Sequence, residues 1–109
     1  MPTSAIFSLA LFLFVLTSWA APVLAASPAE MRGRAFAQTN CARCHSIDRY
    51  TQSPLAIAPP FRTLHEKYPI ESLAESLAQG IDTGHPTMPM FTLETDQIND
   101  LLAFLKSLK

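Results

Sequence analysis

An all-α fold with three helical stretches is what this sequence predicts, and three observations carry the prediction. Apolar residues recur at helical rather than alternating spacing in three separate stretches. Runs of Val, Ile and Thr that could form a sheet are few. The segments joining the three stretches are rich in proline, which breaks helices and favours extended connections.

At the amino end, residues 1–29 carry no acidic or basic side chain, and Ile6 to Leu16 is nearly all apolar. Val23-Leu24-Ala25-Ala26 then offers small residues for cleavage. This resembles a secretory signal peptide, so 1–26 is expected to be a signal and 27–109 the folded domain. Met-Pro-Thr-Ser lacks the usual Lys or Arg, which leaves an uncleaved anchor open. Ala5 to Ala26 is long enough for it, since a span needs roughly 20 apolar residues. Pro22 and the small-residue ending favour cleavage. Either outcome places the remainder outside the cytoplasm, with a periplasmic location expected and a membrane association only if the segment stays uncleaved.

The first helix is expected from Pro28 to Asn40, with Met31, Ala35 and Phe36 apolar and Gly33 inside it. A glycine there costs about 1 kcal/mol relative to alanine, so its presence points to close approach by another backbone. The helix runs into Cys41-Ala-Arg-Cys44-His45. Two thiols at this spacing followed by an imidazole form the attachment signature of c-type haem. On one helical turn Cys41 and Cys44 share a face, so both sulfurs can bond the two vinyl groups on one porphyrin edge, and His45 is placed to ligate the iron. A redox dithiol or a plain disulfide needs no trailing histidine, and a dithiol oxidoreductase also needs a parallel sheet. A zinc site would have to recruit His65 and His85, because there is no second cysteine pair.

Ser53 to Phe61 must be a loop, since its prolines remove donors and extend the residues before them. Such a loop can offer a carbonyl to Nδ1–H of His45 and increase its basicity as a ligand. Pro59 is the choice for that acceptor and Pro60 the alternative. A second, amphipathic helix follows Pro69, with Ile70, Leu73, Ala74 and Leu77 on one face and Gly80 as its stop. His65, between the two, is expected to be exposed and without a role.

The stretch from Asp82 to Phe91 is a loop with two methionines. A soft thioether suits haem iron, and Met opposite His raises the reduction potential. Flanking prolines stiffen Met88, which is preferred to Met90; His85 would instead give a bis-histidine centre. The final helix, about Glu94 to Lys109, places Ile98, Leu101, Leu102, Leu105 and Leu108 on one face, with acidic residues early and Lys106 and Lys109 late, as the helix dipole favours.

Cleavage would leave about eighty residues, a size at which a core alone is marginal and a staple is usual. Covalent haem would supply one. All eight Lys and Arg and all nine Asp and Glu lie beyond residue 29, giving near-neutral balance and no support for nucleic-acid binding.

From about 28 to 109 the chain resembles a bacterial class I cytochrome c of the small mono-haem type. The resemblance rests on Cys41 to His45, on Ala58-Pro59-Pro60-Phe61 standing where such proteins often read Gly-Pro-x-Leu, and on Met88-Pro89 before the last helix. Gly33 with Phe36, and Leu101-Leu102-Ala103-Phe104-Leu105, look like the interlocking first and last helices of that fold. Ala58 departs from the usual glycine, and Gly33 and Phe36 sit at a slightly different offset from the cysteines than in mitochondrial members. The resemblance implies an all-α cytochrome c fold of three to five helices wrapped around one covalently bound haem c, His45 and Met88 as axial ligands, and an exposed haem edge for electron exchange.

With both axial sites filled, no position is open to oxygen, peroxide or substrate, so the expected function is not enzymatic. It is periplasmic transfer of one electron between redox protein partners: a dehydrogenase, an oxidase or another cytochrome. Arg43 and Arg49 are candidates to assist docking. The alternatives are a dedicated electron-accepting subunit of a periplasmic dehydrogenase and a haem enzyme or sensor with a displaceable sixth ligand.

Overall fold

The computed structural model describes residues 18–22, 24–80 and 87–109. The apolar run Ile6 to Leu16 and His85 therefore lie outside the described residues. Within them are four α-helices: α1 (Pro28–Asn40), α2 (Leu64–Lys67), α3 (Leu73–Gln79) and α4 (Thr95–Ser107), with single 3₁₀ turns at Phe61–Thr63 and Ile70–Ser72. Among the described residues there is no strand, and no helix is long and apolar enough to cross a membrane. The all-α class and the helix count agree with the sequence reading.

A capping box opens α1. Ser27 Oγ accepts from Glu30 N–H at 3.2 Å and Glu30 Oε2 accepts from Ser27 N–H at 3.3 Å, so two donors at the helix start are satisfied reciprocally. Pro28 occupies the first turn, where its missing N–H has no consequence. α4 begins similarly: Gln97 Oε1 reaches back to Glu94 N–H at 3.0 Å.

These two helices cross at Gly33. A Cβ built on Gly33 would lie 2.0 Å from the carbonyl oxygen of Asp100 and 2.8 Å from Phe104 Cβ, so the backbones meet with no room for a side chain. One residue earlier, Arg32 Nε and Nη2 each donate to the Asp100 carboxylate at 2.9 Å. That pairing lowers the Asp100 pKa and raises that of Arg32. The apolar face of α4 then supplies Ile98, Leu101, Leu102, Phe104 and Leu105 to a core shared with Ala37, Phe61, Leu64, Ile70 and Leu77.

Two elements differ from the periodicity reading. The helix expected from Ile70 begins as a 3₁₀ turn, with Ser72 N–H donating to the Pro69 carbonyl at 3.0 Å before α3 proper starts at Leu73. Tight turns of this kind commonly satisfy helix starts that lack a side-chain cap, and Ser72 provides none. The sequence reading also passed over α2, whose single turn is too short to show a period. Gly80 ends α3 at φ 104°, a backbone region that other residues rarely adopt. Lys106 pairs with Glu71 at 2.9 Å and ties α4 to the Ile70–Ser72 turn.

Gly33→Ala should lower stability by about 1–3 kcal/mol, because the added carbon meets backbone rather than a movable side chain. Arg34→Ala, at an exposed position of α1, should stay within about 0.5 kcal/mol. Urea unfolding of the two variants checks this, and an undiminished midpoint for Gly33→Ala would mean the helices can separate at no cost.

Candidate functional site

α1 ends at Asn40, and the motif follows it directly as a hydrogen-bonded turn. Cys41 N–H donates to the Ala37 carbonyl at 2.8 Å, and the Cys41 carbonyl accepts from Cys44 N–H at 3.1 Å and His45 N–H at 2.9 Å. The two thiols and the imidazole are thus set on one hydrogen-bonded turn at the end of a rigid helix. All three line a cavity of about 320 Å³. Its walls come from every part of the fold: Phe36 of α1, Leu55, Ile57, Ala58 and Pro59 of the loop, Leu64 of α2, Leu73 and Leu77 of α3, Met88 and Phe91 of the following loop, and Leu101 and Leu105 of α4. Lys67 is the one Lys or Arg among the described wall residues, and no Asp or Glu joins it.

His45 Nδ1 lies 2.8 Å from the Pro59 carbonyl oxygen. A carbonyl only accepts, so Nδ1 is the nitrogen that carries the proton, and in the neutral ring the lone pair is on Nε2. Pro60, the alternative acceptor, is engaged elsewhere: its carbonyl takes Thr63 Oγ1–H at 2.8 Å and Thr63 N–H at 3.0 Å. The Phe61 ring packs on the imidazole with centroids 5.0 Å apart.

The two methionines are separated by the fold. Met88 is half-buried and on the cavity wall. Met90 is 68 % exposed, outside that wall, and its Sδ lies 3.8 Å from where a Cβ on Gly80 would stand. Leu93 N–H donates to the Leu77 carbonyl at 2.8 Å, which moors the Met88 loop to α3. His65 is exposed on α2, and among the described residues no group of three His, Cys, Asp or Glu is arranged to hold a metal ion.

Burial pushes the Cys41 thiol up to about 11, with the neighbouring Cys44 adding to the effect. Reactive redox cysteines have the opposite shift, so the polypeptide does not activate Cys41 as a nucleophile. An apolar cavity within the usual cofactor range of roughly 300–1,000 Å³, with paired thiols and a tautomer-fixed imidazole in its wall, fits a covalently held metalloporphyrin.

Several contributors carried no sequence signal. Arg49, a docking candidate by sequence, donates to the Ser107 carbonyl at the end of α4, where a cation is favoured. Ser46 is buried behind His45 and bonded to Ser53 and Thr51. Arg62 donates into the same cluster. The partners of Arg49 and Arg62 are distant in sequence, those of Ser46 lie in an irregular loop, and no motif announces them.

The cytochrome c family profile matches residues 30–109. A curated relative from Synechocystis sp., called cytochrome c-553-like, is 33 % identical over 104 residues, covering 94 % of this chain and 92 % of its own length. No solved structure matches the chain at a significant level. The chain belongs to the cytochrome c family. It is an electron-transfer haem protein whose cofactor is one covalently bound haem c, and its two cysteines both lie in the Cys41 to His45 motif.

Beside the site, Asp48 holds the turn that follows His45. Its Oδ1 accepts from Tyr50 N–H and Thr51 N–H, and its Oδ2 from Thr51 Oγ1–H, each at 2.7 Å. These bonds to the charged form, the Thr51 amide foremost, hold the carboxyl at about 2. A carboxyl whose folded pKa lies below its unfolded value of about 3.9 stabilises the fold above that value and ceases to as pH falls through the folded one. Wild type should therefore lose stability between about pH 4 and pH 2 more steeply than Asp48→Asn, the two converging at the acid end. Urea midpoints across that range check it, and parallel curves would remove Asp48 from the turn.

Proposed function

We propose that the chain is exported, loses residues 1–26, and works in the periplasm as a carrier of one electron on a haem c attached through Cys41 and Cys44 and ligated by His45 and Met88. The observation that carries this reading is the convergence of both thiols, the Pro59-bonded imidazole and the Met88 loop on one apolar cavity. When bound, the haem supplies reversible one-electron chemistry at its iron.

The chain's own residues do the rest. Pro59 holds the His45 ring in one tautomer and makes Nε2 a better donor. Met88, on the wall where Met90 is not, offers a soft sulfur whose position the flanking prolines restrict. Apolar side chains from all four helices or their flanks exclude water and keep the local dielectric low, which limits the reorganisation that accompanies a change of charge. If His45 and Met88 both hold the iron, no position would be left for a substrate, which supports a carrier rather than a catalyst. Redox partners would dock transiently around the open edge of the cavity, in the small-interface class typical of such encounters.

The support for Met88 leads to a clean test. Met88→Ala should abolish the far-red sulfur-to-iron absorption band of the oxidised protein and lower its reduction potential, while Met90→Ala should retain both. Loss of the band in Met90→Ala alone would transfer the ligand assignment to that residue.

A further inference from the structure

The carbonyl that orients His45 belongs to a segment with few means of holding itself. Ala58 N–H is used within its own turn, donating to the Leu55 carbonyl at 2.9 Å. Pro59 and Pro60 have no N–H. The next backbone donor is Phe61, whose N–H bonds the Ser46 carbonyl at 2.9 Å. The next side chain able to grip is Arg62, half-buried, whose Nη1 donates to the Thr51 carbonyl at 2.7 Å and to the Asp48 carbonyl and Ser46 Oγ at 3.3 Å each. Ser46 is itself 3 % exposed and fixed by Ser53 and Thr51, so the guanidinium binds an ordered acceptor set.

We propose that Arg62 is a positioning residue: by clamping the Phe61–Thr63 turn onto Ser46, Asp48 and Thr51 it sets the distance between the Pro59 carbonyl and His45 Nδ1, and so tunes His45 as an iron ligand. This rests on His45 being that ligand. Its consequence has a sign. A firm Nδ1–H bond makes the imidazole a stronger donor and favours the oxidised iron, so loosening the clamp raises the potential. Removing a positive charge near the site favours the oxidised state too, so a purely electrostatic role for Arg62 predicts a fall instead. Lysine keeps the charge but has no planar fork and holds its hydration more strongly, so Arg62→Lys separates the two effects.

The experiment measures the potential and the hydrogen exchange of His45 Nδ1–H and Phe61 N–H in the reduced holoprotein, in wild type, Arg62→Lys and Arg62→Gln. Expected is a raised potential in Arg62→Lys, with both protons exchanging about tenfold faster in each variant, the scale of one charge-assisted hydrogen bond. Amides at the α1–α4 crossing should keep their protection. A wild-type potential and unchanged exchange in Arg62→Lys, with a lowered potential in Arg62→Gln, would reduce Arg62 to a remote charge and overturn the proposal. Equal acceleration at α1 and α4 would make it a general stabiliser and overturn it as well. Should neither variant accumulate, wild-type exchange still decides: equal protection of the two protons, each relative to its own intrinsic exchange rate, supports one clamp, and a His45 Nδ1 proton far less protected than Phe61 N–H refutes it. An observed Phe61 effect without any ligated His45 would instead overturn the ligand reading while leaving the clamp in place.

Discussion

The missing side chain at Gly33 is the constraint on which the architecture hangs. With the Asp100 carbonyl oxygen 2.0 Å from where a Cβ would stand, α1 and α4 meet backbone to backbone, and the Arg32–Asp100 pair grips the same point from its exposed side. Two consequences follow from that close crossing. α1 is aimed so that its continuation delivers Cys41, Cys44 and His45 to the interior, and α4 presents Leu101 and Leu105 to the same space. A wider crossing would part the walls of the cavity before any loop could close it.

The remaining elements complete an enclosure that side chains alone leave unfilled. A chain this short has little core to spare, and its buried residues surround a hollow of about 320 Å³ rather than fill it. Membership of the cytochrome c family accounts for that arrangement, because covalent haem c takes the place of core side chains. Among the described residues, the bond from Leu93 to Leu77 moors the Met88 loop, and a network of serine, threonine, aspartate and arginine contacts holds the His45 side. That network fixes the backbone behind the proposed histidine ligand.

Much of this was legible in the residues, and the exceptions share a cause. Pro28–Asn40 was read to the residue because proline marks its start and the cysteine motif its end. Gly33 stood out because a glycine inside a helix demands a reason, and the crossing supplies it. The choice between Pro59 and Pro60 needed coordinates, since Thr63 occupies one of the two carbonyls. Arg62 and Ser46 left no trace because their work is done through side-chain bonds to backbone 11 and 14 residues away and to hydroxyls in an irregular loop, where neither period nor motif exists. α2 and the Ile70–Ser72 turn were missed or misdrawn because a single turn is shorter than one hydrophobic repeat.

Attachment of one haem through both cysteines is tested most directly by the intact mass of the purified, denatured protein. The predicted result is the mass of the polypeptide plus one haem, with visible absorption that stays with the chain through extraction. A colourless chain at the polypeptide mass, with two titratable thiols, would contradict it.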